Sequence, residues 1–184
     1  MQIPSLGPGG RYHTRLLGPP DLRALQALFE RGEDYFAIAT GQRPAPDEAP
    51  RAFVAGPPTK AVDDKRIIGI FAGHELVGVL DAITDWPAER AWTMGMLLLD
   101  PRHRGQGLGA AVLAAYEAWA ASEGATQLQT AVVTHHAPGV RFLERHGYQR
   151  APDALTGPPQ GVFRFSKPAP RERSEGKPRL FRGE

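Results

Sequence analysis

The hexapeptide Arg104-Gly105-Gln106-Gly107-Leu108-Gly109 sets one guanidinium among three glycines, between an apolar segment and an amphipathic one. Glycine lets the main chain approach a bulky anion, and the unpaired N–H groups of a helix's first turn supply donors and partial positive charge. Arginine adds charge-assisted hydrogen bonds. These residues predict a site for a phosphate-bearing ligand; the competing reading is a helix entry whose glycines serve only the turn. Two phosphate loops are disfavoured by spacing. No Gly-Lys-Ser/Thr ending follows the first glycine, so the chain has no P-loop. Gly105, Gly107 and Ala110 satisfy G-x-G-x-x-A, but Asp100 to Arg104 separate the glycines from the preceding strand, and the later strand Leu128 to Val133 carries no acid to meet a ribose.

Such a loop needs a strand before it and a helix after it. Met94 to Leu99 is an apolar run that Asp100-Pro101 ends, because proline cannot continue a ladder. Leu108, Val112, Tyr116 and Trp119 recur at near-helical spacing, predicting a helix over Gly107 to Glu123 with Gly124 as its stop. Tyr12 to Leu17 reads as a first strand, and Leu22, Leu25, Leu28 and Phe29 as a helix with Asp21 as N-cap candidate. A second helix is expected over Asp34 to Ala39. From Gly41 to Asp64 proline and glycine are dense, predicting a long surface loop with a helical turn at Glu48 to Val54. Arg66 to Ala72 and Leu76 to Thr84 form a hairpin through Gly73-His74-Glu75, with Trp92 to Leu99 the third strand of the meander. Leu128 to Val133 is a buried strand, Pro138 to His146 a short helix, and Tyr148 with Gly161 to Ser166 a closing hairpin. An antiparallel meander followed by β-α-β-α-β predicts an α/β class with one mixed sheet and flanking helices.

The chain has 184 residues, 41% hydrophobic, enough for one domain with a substantial core and no need of a second. With no cysteine it has neither a disulfide nor a thiolate nucleophile, and its six histidines lack metal-ligand spacing, so no metal is expected. No apolar run approaches a membrane span and no signal-peptide pattern opens the chain, which leads us to expect a cytoplasmic protein without membrane partners. The pI near 9.1 suggests nucleic acid at first sight. The basicity is local, however: Lys167 to Glu184 carries six basic residues against three acidic ones, more than the whole chain's net +2. We therefore expect a domain over 1–166, a basic, proline-rich, disordered tail over 167–184, and no nucleic-acid partner.

The third loop template, Arg/Gln-x-x-Gly-x-Gly/Ala, is matched by Arg104, Gly107 and Gly109, and it resembles the pyrophosphate loop of the GNAT acyl-CoA N-acyltransferases. The resemblance extends from about Tyr12 to Phe165. Leu97-Leu98-Leu99-Asp100-Pro101 stands where that family has Leu-x-Val-x-Pro, and Thr134 to Tyr148 ends in the Gly-Tyr of its last helix, Gly147-Tyr148. Weaker likenesses are Glu33-Asp34-Tyr35-Phe36, the Gly56-Pro57-Pro58 turn, Gly78 to Asp81 and Asp85-Trp86-Pro87.

What the resemblance implies is an acetyl-CoA-dependent N-acetyltransferase acting on a primary amine, of a small molecule or a peptide, by direct attack. A non-catalytic acyl-CoA sensor on the same fold is the alternative, and a homodimer is compatible with either. The cosubstrate would lie on Leu97, Leu98 and Leu99 and on the loop Arg104, Gly105, Gln106, Gly107, Leu108 and Gly109, with His136 and Phe142 beside it; main-chain pairing is expected of Leu97 and Leu99. Asp34 and Tyr35 would line the acceptor side. Acid and base depart from the family pattern. The usual central-strand glutamate aligns with Gly95 or Met96, the asparagine of the last helix with His136, and the thiolate-protonating tyrosine with Leu143. His136, which titrates near neutrality, and Asp81 are the catalytic candidates. Asp81 is a base if it faces the cleft and a solvated strand-end residue if it does not.

Overall fold

The computed structural model describes residues 10–151 and 161–170. The elements run β1 (Tyr12–Leu16), α1 (Leu22–Arg31), α2 (Glu33–Thr40), α3 (Glu48–Val54), β2 (Lys65–Ala72), β3 (Glu75–Ile83), β4 (Ala91–Leu99), α4 (Leu108–Ser122), β5 (Gln127–Val133), α5 (Ala137–Arg145), β6 (Gln149–Arg150) and β7 (Val162–Pro168). One seven-stranded sheet takes the order β1-β2-β3-β4-β5-β7-β6. Only β4 and β5 are parallel neighbours, as the α4 crossover requires. The expected mixed α/β sheet is the fold observed.

The two faces of the sheet carry separate cores. On one, Leu25, Leu28 and Phe29 of α1 and Phe36 of α2 bury against Ile67, Val79 and Leu98. On the other, Leu108, Val112, Leu113, Tyr116 and Trp119 of α4 and Val140 and Leu143 of α5 bury against Ile68, Ile70, Leu80, Met94 and Leu128. The face of each strand residue follows from the period of two. Gly41 (φ +74°) ends α2 and Gly124 (φ +92°) follows α4, in left-handed conformations that glycine takes without penalty.

Three expectations change. Asp21 does not cap α1. It sits in the turn Pro19–Asp21 with helical dihedrals, so its carboxylate turns back to accept the Gly18 N–H at 3.0 Å and pair with Arg15. The closing hairpin is shifted, since Gln149 and Arg150 pair with Ser166 and Phe165, and β7 runs on to Pro168 alongside β5. Lys167 therefore belongs to the sheet, where its ammonium meets Glu117 at 2.7 Å. Residues 171–184, the remainder of the predicted tail, lie outside the described residues. No helix among the described residues is long and apolar enough to cross a membrane.

Candidate functional site

The site begins where two strands part. β4 and β5 pair from Ala91↔Gln127 to Met94↔Thr130 and no further, although β4 stays on β3 as far as Leu99. The parting coincides with a bulge: Asp81 faces Met96 and Ala82 faces Met94, leaving Gly95 as an extra residue that bends β4. The Asp100 N–H bonds Val77 C=O at 2.8 Å. Because hydrogen-bonded pairs recur every two residues in an antiparallel ladder, Leu98 then directs its main chain to β3, whereas Leu97 and Leu99 direct theirs into the opening toward β5. This corrects the expectation for Leu98. Its main chain is committed to the ladder, and its side chain is buried on the α1 face against Gly32.

The glycine loop lies at the open end. Asp100 accepts the Arg102 N–H at 3.0 Å and starts the turn Pro101–His103, which Tyr12 Oη steadies at His103 Nδ1, 3.2 Å away. Gly105 (φ +73°) and Gly107 (φ +81°) are left-handed, and a Cβ at either would meet nothing within 4 Å, so the loop surface is open. α4 starts at Leu108, and the Ala111 N–H bonds Gly107 C=O; the amides of Leu108, Gly109 and Ala110 precede the first intrahelical bond. Gly109 brings the α4 backbone close to the next elements, its missing Cβ being 3.6 Å from the Phe142 ring and 3.7 Å from Leu99. The Gln106 side chain folds back onto Arg102 C=O at 3.1 Å. These features fit a pyrophosphate held by main-chain donors.

Arg104 does not extend over that surface. Its Nε donates to Leu99 C=O at 2.8 Å, and its two terminal nitrogens grip the Asp34 carboxylate, Nη2 at 3.0 Å from Oδ1. That grip holds the Asp34 pKa below its ordinary value. Arg102, the other arginine of the loop, is tied to Asp100 and Glu75. The cation assigned to phosphate thus spans from the central strand to α2.

α2 reaches the other arm as well. His135 donates Nε2–H to Ile38 C=O at 2.9 Å, so α2 is joined to both sides of the parted strands. His136 sits at the N-cap of α5 without a capping bond, its ring folded against the first turn. A Cβ at Gly139 would lie 2.6 Å from His136 Nδ1, so glycine there is what admits the imidazole. Burial lowers the His136 pKa, His135 and Arg104 lower it further, and Asp34 acts the other way. Leu143, at the tyrosine position, is buried in the α4-side core and faces no cleft.

Asp81 is not a solvated strand-end residue. On the α1–α3 face its side chain is 16% exposed, with Oδ2 2.9 Å from Lys65 Nζ, and burial raises its pKa against the lowering effect of that lysine. The Tyr35 hydroxyl is pushed up to about 12 by burial and then by Asp81's charge, so it stays protonated. Sequence reading missed Lys65, Gly139 and the His135–Ile38 bond. Each depends on strand register or helix docking, for which a single chain carries no local signal.

A model of the acetyltransferase (GNAT) family matches residues 25–148. Among solved structures, an acetyltransferase from Thermus thermophilus is 26% identical with a TM-score of 0.70, the match covering 91% of this chain and 99% of that one. The Salmonella typhimurium acetyltransferase that modifies the N-terminal serine of ribosomal protein L7/L12 superimposes with a TM-score of 0.71 at 16% identity, over 91% of this chain and 99% of that one. The PaiA N-acetyltransferase of Thermoplasma acidophilum, in complex with coenzyme A, has a TM-score of 0.64 at 16% identity, over 85% and 98%. No curated protein matches the chain in sequence.

Proposed function

The chain belongs to the GNAT acetyltransferase family and is an acyltransferase, and from that premise we propose that it moves the acetyl group of acetyl-CoA to a primary amine by direct attack. The observation that carries the reading is the parting of β4 from β5 directly beside a glycine loop at the N-terminus of α4. Leu97 and Leu99 offer main-chain groups to the pantetheine amides, and Gly105, Gln106, Gly107, Leu108 and Gly109 offer amides to the pyrophosphate, with Phe142 flanking. Bound there, acetyl-CoA supplies the activated acyl thioester. This chain's residues orient it and handle the proton. N–H groups of the central strand polarise the acyl oxygen where charge develops in the transition state. His136 stands at the donor side, where its ring can hydrogen-bond the cosubstrate, and Asp81 is the base on the acceptor side. Asp34 and Tyr35 of α2 line the way in for the acceptor. The acceptor class is a primary amine, of a small molecule or a protein N-terminus, and the setting is the cytoplasm.

Calorimetry with acetyl-CoA tests binding, and release of free CoA across a panel of amines and peptides tests turnover. Micromolar binding with CoA release is expected from the wild type, and loss of binding from Gly107→Glu, which sets bulk and negative charge at the anion site. A wild type that binds no acyl-CoA refutes the reading; binding without turnover converts it to a sensor.

A further inference from the structure

Resting on the acetyl-transfer reading, we propose that Lys65 is the positioning residue of the site, holding the Asp81 carboxylate over the β4 bulge, where it takes the proton of the attacking amine. Lys65 opens β2, and the register sets Ile67 opposite Asp81 and Lys65 opposite Ile83, making Lys65 and Asp81 diagonal neighbours. Its side chain is 8% exposed, and its ammonium spans Asp81 Oδ2 and Ala55 C=O, at the C-terminus of α3. An ammonium is buried this far only when paired. Asp81 Oδ1 is buried and has no hydrogen-bond partner among the described residues.

The carboxylate overlies Gly95. A Cβ built there would stand 3.5 Å from Asp81 Oδ2 and 3.7 Å from its Cγ, whereas Gly95 itself leaves the bulge exposed. A methyl at 95 would sit in ordinary contact with the acid. A β3 aspartate thus stands over the position where the resemblance leads one to expect a glutamate and finds none. The charged and titratable groups near Asp81 are Lys65 on β2, Tyr35 on α2 and Tyr116 on α4; β4 contributes only Gly95 and Met96. Lys65 is the one cation among them. In the step, the amine nitrogen bonds to the acyl carbon and gives its proton to the Asp81 carboxylate, the C–S bond breaks with its electron pair left on sulfur, and the proton on Asp81 passes on to solvent or to the departing sulfur.

The test is the pH dependence of kcat/KM for wild type, Lys65→Met, Lys65→Arg and Asp81→Asn, with acetyl-CoA affinity measured in parallel. An opposite charge at this range lowers a carboxyl pKa by about 1–3 units. Lys65→Met should therefore move the acid limb up by about one pH unit or more, Lys65→Arg should return it to within about half a unit, and Asp81→Asn should lose the limb with a fall of about 100-fold or more. Acetyl-CoA affinity should stay within about twofold throughout, because the glycine loop is untouched. If Lys65→Met does not fold, carboxyl 13C titration of Asp81 in wild type and Lys65→Arg replaces it. There a resonance whose midpoint does not coincide with the acid limb in both proteins overturns the proposal. Wild-type turnover with an acid limb unmoved by either Lys65 variant overturns it while leaving acetyl transfer intact, and a wild type that releases no CoA overturns both.

Discussion

Asp100→Asn probes the joint between the central strand and the glycine loop. The Asp100 side chain is 1% exposed; Oδ2 accepts from Arg31 Nε at 2.6 Å and Arg102 Nη2 at 2.8 Å, and Oδ1 accepts the Arg102 N–H and Nε, each at 3.0 Å. An amide keeps one of those oxygens and turns an NH2 toward the donors of the other. Breaking a buried ion pair from one side costs about 3–5 kcal/mol. Arg31 retains Ala27 C=O and Leu76 C=O as acceptors, so the lower end applies, about 3 kcal/mol. For a domain of this size that is about 6–12 °C in Tm. The Arg102 and Arg31 donors, chiefly Arg102, hold the Asp100 carboxyl well below the usual carboxylate range. A depressed folded-state pKa contributes stability that is complete above the unfolded value of about 3.9 and is lost as pH falls toward the folded one. Urea unfolding followed by tryptophan fluorescence should therefore show a gap between wild type and variant that is level from about pH 5 to 8 and narrows below about pH 4. A gap under about 1 kcal/mol at pH 7, or one that persists undiminished at pH 3, refutes the reasoning.

Three further outcomes are expected. Lys167→Met leaves the buried Glu117 carboxylate beside the Tyr148 and Tyr116 hydroxyls without its cation, costing about 3 kcal/mol in thermal or urea unfolding, and a second change, Glu117→Gln, should recover most of it. Arg104→Gln should alter Tm by no more than about 2–4 °C, because its Asp34 pair is solvent-exposed. It should weaken acetyl-CoA binding about tenfold in calorimetry if the guanidinium leaves Asp34 for phosphate; unchanged affinity would leave Arg104 as a tie between α2 and β4. Gly139→Ala adds a methyl where His136 Nδ1 lies 2.6 Å away, so turnover should fall as far as in His136→Ala while the melting temperature moves by less than about 4 °C.

The backbone conformations of the donor loop were legible because they are local: Gly105 and Gly107 adopt the left-handed geometry that their residue type permits, and Pro101 ends β4 wherever the strand goes. The amphipathic spacing of Leu108, Val112, Tyr116 and Trp119 likewise located α4 and its buried face. The Asp21 cap failed because preceding prolines carried the helical turn one residue further, a local contest between two start signals. Leu98 failed for another reason. Alternation assigns its face only once the β3–β4 register is known, and three consecutive leucines give no clue to it.

From residue order alone come a glycine loop at a helix start and the mixed sheet that holds it, since each rests on conformational preferences and hydrophobic period within a few residues, while the family came from the resemblance of its motifs. The surroundings of Asp81 were decided only in three dimensions. Asp81 becomes a buried carboxylate because β2 lays Lys65 diagonally against it, the bulge brings Gly95 beneath it, and Tyr35 of α2 lies near it. Those neighbours lie 14 to 46 positions away in the chain, and their meeting is a property of strand register and helix docking, where long-range packing rather than local propensity sets the energy.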